Sequence, residues 1–300
     1  MSVVKSVEEM VGSTPVFLFE ENGTEIMVKL ESYNPGGSIK DRAALAIIQQ
    51  AEKRGQLKPG GVIIEPTSGN MGVALAMLGV SCGYRVIIVM PDTMTLERRK
   101  LITAFGGELV LTEGAQRMTG ALRKADELAK TIPGAFMPHQ FKNDANPFAN
   151  EETGREILKD TDGKLDIFVA GIGTGGSFTG ASRVLKKEIP SIQCVALEPS
   201  ESAVISGDRP GPHGIQGIGA GFIPDTFDRS LADRIMCIPS ASAMSTTTWF
   251  TKTYGLMVGI SSGAAIYASR HIAKEVGPGK RILCLAPDTG ERYLSVLYSK

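Results

Sequence analysis

Cysteine, histidine and tryptophan are scarce in this chain, and neither sign of charge is in surplus. Its 300 residues include 4 cysteines, 3 histidines and 1 tryptophan. Cys82, Cys194, Cys237 and Cys284 are widely spaced and form no metal-type pair. The last three lie in apolar runs that read as strands, so buried reduced thiols are expected and not a disulfide framework. His139, His213 and His271 stand alone, which argues against a zinc site; no metal is expected. Lys+Arg and Asp+Glu are equal at 32 each, so the basic footprint of a nucleic-acid binder is missing and nothing draws the chain to an anionic membrane. No apolar run has spanning length, and the amino terminus carries Glu8 and Glu9 in place of a signal-peptide core. These absences predict a cytoplasmic protein with neither nucleic acid nor membrane as partner.

What remains is an ordinary globular composition, 42% apolar and 21% charged, in a chain too long for one small core. Pro15 to Phe19 and Ile26 to Leu30 read as strands, and Asn22-Gly23 between them is a hairpin signal. Short β-rich runs then alternate with helix-length stretches. Val62 to Glu65, Val86 to Met90 and Leu109 to Leu111 read as strands, and Met71 to Val80 and Leu96 to Phe105 as helices. The stretch from Pro133 to Glu152, rich in Pro, Asn, Asp and Phe, reads as a passage between domains. Beyond it the alternation restarts. Strands are expected at Ile167 to Ala170, Cys194 to Leu197, Ile235 to Ile238 and Ile282 to Ala286, and helices at Phe178 to Lys187, Ser242 to Tyr254 and Ala264 to Val276. This is an α/β pattern of βαβ units with sheets covered on both faces. It predicts two lobes, each a mostly parallel twisted sheet flanked by helices, with the ligand in the cleft between them. Residues 35–145 form the smaller lobe; 1–34 and 146–300 form the larger.

Four loops carry the candidate chemistry, each at a strand end or helix start, where ligands of open α/β sheets bind. Asn34 to Arg42 places Lys40 at the start of a helix, with Ser38 as N-cap and Asp41 completing a capping box. The positive end of a helix depresses a lysine's pKa, and a lysine that loses its proton is a nucleophile or Schiff-base former. Thr67-Ser68-Gly69-Asn70-Met71-Gly72 follows a strand and opens a helix, with short hydroxyl and amide groups suited to a carboxylate. Gly171 to Ser177 is a phosphate cradle at a helix N-terminus. It also spells G-x-G-x-x-G through Gly171, Gly173 and Gly176, with Glu198 ending the next strand. That is the dinucleotide pattern in outline, so an NAD oxidoreductase is a rival reading. Glu198 lies beyond the usual spacing of about 20 residues, however, and NAD gives no role to Lys40 or Asn70. Gly259 to Ala264 reads as a capped turn. One ligand accounts for all four loops: pyridoxal 5′-phosphate, which needs a lysine for its aldehyde, a cradle for its phosphate, a donor near its phenolic oxygen and a partner for its ring nitrogen.

With these loops in place the chain resembles the O-acetylserine sulfhydrylases (cysteine synthases) of the fold type II pyridoxal-phosphate enzymes, from Gly12-Ser13-Thr14-Pro15 to Gly290-Glu291-Arg292-Tyr293-Leu294-Ser295. The resemblance rests on Asn34 to Arg42, Thr67 to Gly72, Gly173 to Ser177, the cleft segment Gly211 to Phe222, and Ser261. It implies that Lys40 carries the cofactor and acts as general base, and that Asn70 bonds the phenolic oxygen. Gly173, Thr174, Gly175, Gly176 and Ser177 would bind the phosphate, and Ser261 would meet the ring nitrogen. Thr67, Ser68, Gly69, the amide of Met71 and Gln140 would hold the substrate carboxylate, with Gly217 and Ala220 lining the cleft. The implied reaction replaces the acetoxy group of O-acetylserine by sulfide, giving L-cysteine and acetate through an enzyme-bound α-aminoacrylate. Use of serine or homocysteine, as in cystathionine β-synthases, is an alternative within the class. A homodimer, and a serine acetyltransferase as partner, are also implied. The chain departs from the family pattern at Met71, Ser13, Arg117 and Glu152. Met71 stands where threonine is usual, removing a hydroxyl whose bond to a charged group is worth about 1.5–3 kcal/mol.

Overall fold

The computed structural model describes residues 3–298, which divide into two compact units. One comprises residues 3–11 with Lys40–Ala145, and the other Gly12–Ile39 with residues 146–298.

The first unit is built on a four-stranded, wholly parallel sheet of β3 (Val62–Pro66), β4 (Arg85–Pro91), β5 (Glu108–Thr112) and β6 (Ala135–Phe136), in the order β5-β4-β3-β6. Helices α2 (Asn70–Ser81), α3 (Leu96–Ala104) and α4 (Arg117–Thr131) supply the crossovers, and α1 (Lys40–Lys53), which precedes β3, packs on α2. Side chains alternate along β3: Ile63 joins the apolar cluster of α1 and α2, while Val62 and Ile64 join that of Ala121 and Ala125 on α4. Both faces are covered, so the strand needs no polar alternation.

The second unit holds a six-stranded sheet whose strands run, from edge to edge, Val16–Glu21, Thr24–Leu30, Arg281–Ala286, Ile167–Gly171, Gln193–Pro199 and Arg234–Ile238. The hairpin of β1 (Val16–Glu21) and β2 (Thr24–Leu30) is antiparallel, with Glu21 opposite Thr24. Its two-residue turn has Asn22 at φ 55° and Gly23 at φ 74°, the left-handed pair that matches the twist of the strands. The remaining strands, β7 (Ile167–Gly171), β8 (Gln193–Pro199), β9 (Arg234–Ile238) and β10 (Arg281–Ala286), pair in parallel. Along β10, Ile282, Cys284 and Ala286 pack to one face and Leu283 and Leu285 to the other. Helices α5 (Ala145–Asp160), α6 (Gly176–Glu188), α7 (Ser240–Tyr254) and α8 (Ile260–Val276) flank the sheet, and a short α9 (Leu294–Leu297) follows.

Four expectations need correction. The stretch from Pro133 to Glu152 is not all linker, because α5 already starts at Ala145. Asn143 Oδ1 accepts from the Ala145 N–H at 3.0 Å, and Pro147 lies in the first helical turn, where its missing N–H costs nothing. Helix α4 was not anticipated. Ser38 is not at the cap position of α1: the helix begins at Lys40, and Ser38 is drawn into a bridge with Asp288. The four cysteines are free, but only Cys194 and Cys284 are buried; Cys82 is half-buried and Cys237 exposed.

Candidate active site

The two units carry separate sets of site residues. In the first, Lys40 opens α1, which packs on α2. The loop from Thr67 follows β3 and leads into α2, whose flanking residue is Gly69. Glycine offers no cap side chain, so the first N–H groups of α2 are left without a capping side chain and present partial positive charge. Ser68, Gly69 and Asn70 are half-buried, and a Cβ built on Gly69 meets nothing within 4 Å. The loop therefore borders open space. Buried Thr67 ties it to the next segment, its Oγ1 accepting from Gly69 N (3.3 Å) and from Gln140 Nε2 (3.4 Å). Thr67, Ser68, Gly69, Asn70, Met71 and Gln140 are thus one local group. The Met71 side chain, however, is 1% exposed and belongs to the apolar cluster of α1 and α2. It points into the core and brings only its backbone to the loop.

Two residues that sequence reasoning missed support this group. Arg98 of α3, also buried, donates from Nη1 to Ser68 O at 3.3 Å. Glu65, the one charged residue in the buried strand β3, accepts the backbone N–H groups of His139 (3.1 Å) and Gln140 (3.4 Å). Burial raises its carboxyl from 4.5 to about 7, against the opposing pull of these bonds. A lone acid ending an apolar strand was the available signal.

In the second unit, Gly171 to Ser177 joins β7 to α6. Gly175 flanks the helix at φ 83°, again with no side-chain cap. Thr174 is buried, its Oγ1 accepting from Asn146 Nδ2 at 2.9 Å while its carbonyl accepts from Thr226 Oγ1. Asn146, missed because it lay in the supposed linker, is the brace of this loop. The cleft segment is tied to it, with Gly219 N donating to Ile172 O at 2.9 Å. A Cβ on Gly173 would strike the carbonyl of Gly217, and one on Gly217 would lie 3.5 Å from Ser261 Oγ. Gly173 to Ser177, Gly217 and Ser261 therefore converge. Ala220, next to Gly219, is exposed. Ser261 is buried in the first turn of α8, whose flanking residue is Gly259. Gly259 to Ala264 is thus the start of a helix and not a free-standing turn.

A model of the pyridoxal-phosphate dependent enzymes matches residues 7–288. The chain belongs to that family. A cysteine synthase of Staphylococcus aureus is 49% identical over 303 residues, covering 99% of this chain and 97% of that one. Among solved structures, a cysteine synthase from Entamoeba histolytica superposes with a TM-score of 0.96 at 44% identity, covering 99% of this chain and 91% of the other. An O-ureido-L-serine synthase superposes at 0.95 and 43% identity, covering 98% and 95%.

Family membership makes pyridoxal phosphate the cofactor, and the donor groups suit it: two glycine-flanked helix starts for an anion and a primary amine on α1. It also corrects the NAD alternative, as does Glu198. That carboxylate, 1% exposed, accepts from Ile205 N (2.7 Å), Ser206 N (3.0 Å) and Ser206 Oγ (2.6 Å). It anchors the turn after β8, a structural role that accounts for the acid without a ribose. No helix among the described residues is long and apolar enough to cross a membrane.

Proposed function

We propose that this protein is a cysteine synthase, replacing the acetoxy group of O-acetyl-L-serine by sulfide. The observation that carries the reading is identity of 49% to a cysteine synthase along nearly the whole chain, with both sets of donor groups intact. In this reading Lys40 holds the cofactor through Nζ, Asn70 bonds its phenolic oxygen, and Ser261 meets its ring nitrogen. Thr174, Ser177 and the amides of Gly173, Gly175 and Gly176 bind its phosphate. Bound there, the cofactor withdraws electrons from the amino acid's α-carbon. The neutral hydroxyl of Ser261 does not hold a ring proton as a carboxylate would, and this favours elimination at the β-carbon over transamination.

The substrate carboxylate lies on Thr67, Ser68, Gly69, the Met71 amide and Gln140, with Gly217 and Ala220 beside the β-substituent. Lys40 Nζ would take the α-proton as acetate leaves, and would return a proton to the α-carbon once sulfide has bonded the β-carbon. The reading extends to a homodimer in the cytoplasm and to a serine acetyltransferase as partner. The test is a visible spectrum of the purified protein. It should be yellow and change its band on addition of O-acetylserine, and Lys40→Ala should keep the fold and lose the covalent chromophore. A colourless protein would refute the reading of Lys40. A yellow one with no response to O-acetylserine would refute the substrate alone.

A further inference from the structure

We infer that Glu65 is a positioning residue for the substrate carboxylate, holding the His139–Gln140 turn so that the Gln140 side chain meets the loop beginning at Thr67. The inference deepens the proposed function and rests on its assignment of that loop and Gln140 to the carboxylate.

The geometry is bidentate: Oε2 takes the His139 N–H and Oε1 the Gln140 N–H. From the same turn, Gln140 Nε2 reaches Thr67 Oγ1 at 3.4 Å. The strand end, the turn and the loop are thereby linked in series. The arrangement is costly twice over. Glu65 is 2% exposed, and no ion pair is recorded for it among the described residues. His139 is a non-glycine residue held at φ 51°, a conformation L-residues avoid. Two costs on one turn, beside a substrate-facing amide, are the pattern of a functional site and not of a packing anchor. A neutral amide would not serve, because its NH2 end would face one of the two N–H donors.

The elements packed on β3 are apolar where they meet it, through Ile88 of β4, Phe136 of β6 and Ala121 and Ala125 of α4. The carboxylate is met by the two amides and the Gln140 side chain. His139, Lys142 and Asp144, the titratable groups of the turn segment, are exposed. Protonation of Glu65, whose carboxyl burial raises to about 7, would replace an acceptor by an O–H and release one arm of the turn.

The test is Glu65→Gln in the holoenzyme, with KM and kcat for O-acetylserine measured from pH 6 to 9 beside the melting temperature. The variant should raise KM by about ten- to a hundredfold at pH 8 with kcat within about threefold, keep the cofactor band, and still unfold in one cooperative transition at pH 8. Wild-type KM should rise as pH falls through about 7, and that limb should be missing from the variant. If Glu65→Gln does not fold, Gln140→Ala decides, because it should lose the same limb. A variant that shares the wild-type KM and limb overturns the inference alone. A variant that loses stability, kcat and KM together also overturns it, in favour of a packing role. A wild type with no spectral response to O-acetylserine overturns the substrate reading and this inference with it.

Discussion

Gly176→Ala should damage the phosphate loop through the protein's own packing and not by blocking a ligand. A Cβ at Gly176 would land on Asn146, inside contact of Oδ1 and 2.8 Å from Nδ2. Asn146 cannot retreat without cost: its Nδ2 donates to Thr174 Oγ1 at 2.9 Å, and its carbonyl accepts from Asn150 Nδ2 at 2.8 Å. Loss of the first bond leaves buried Thr174 short of a partner, worth about 1–3 kcal/mol. Relief of the overlap adds about 1 kcal/mol of off-rotamer strain. The sum, about 2–4 kcal/mol, should appear as a lower melting midpoint both with and without added cofactor. Because Thr174 is itself a proposed phosphate ligand, cofactor affinity should fall as well. Gly69→Ala is the control: its Cβ meets nothing within 4 Å and its φ of −116° suits alanine. It should leave the melt unchanged while raising KM for O-acetylserine. The assays are denaturant unfolding and cofactor titration of the reconstituted proteins. A Gly176→Ala protein with wild-type stability but weak cofactor binding would refute the packing account and restore the simpler view that the glycine serves only close approach of the phosphate.

Three further outcomes follow from the same structure. Arg117, exposed at φ 48° and ψ −150° at the start of α4, occupies backbone space suited to glycine, so Arg117→Gly should stabilise the first unit by about 1–2 kcal/mol in chemical denaturation. Wild-type stability, compared with Glu65→Gln, should fall as pH rises through Glu65's titration. A carboxyl raised from 4.5 to about 7 favours the fold fully below pH 4.5 and loses that contribution above 7, about 3 kcal/mol in all, so a stability difference flat across pH 5–8 would refute the burial account. Met71→Thr should cost about 1–3 kcal/mol by placing a hydroxyl and a void in the α1–α2 core and should bring little gain in O-acetylserine affinity, read from KM against the melting midpoint.

The strands were legible because both sheets are covered on two faces, so runs such as Val62 to Glu65 and Ile282 to Ala286 stood out as continuous apolar stretches. The Asn22-Gly23 hairpin was legible for a local reason, the positive φ of both turn residues. Helix α4 was missed because its apolar stripe of Ala121, Ala125, Leu128 and Ala129 is built largely from alanine, a weak hydrophobic signal on a charged helix. The start of α5 was missed because Asn, Asp and Pro read as loop until it is seen that Asn143 caps the helix and Asn146 turns its side chain to Thr174. Site residues on loops could be named from residue type. Of their supports only Glu65 left a signal, a lone acid in an apolar strand; Arg98 and Asn146 act through bonds that join segments distant in sequence.

The departures from the family pattern now divide by physical effect. Ser13 sits exposed at φ 49°, where asparagine is better accommodated, and its N–H still donates to Glu156 Oε1 at 2.9 Å. Arg117 bears a backbone cost of the same kind. Glu152 lies on the exposed face of α5 and pairs with Arg155 at 3.0 Å, a contact worth a few tenths of a kcal/mol. Met71 fills core volume. None of the four removes a donor that the geometry offers to a ligand. Thr67 and Gln140 remain joined, the starts of α2 and α6 remain flanked by glycine, and Ser261 remains beside Gly217. Substitutions that change stability by about 1 kcal/mol each can accumulate while the donor set stays fixed. The intact donor set therefore adds to the 49% identity along nearly the whole chain as an argument that the chemistry is retained.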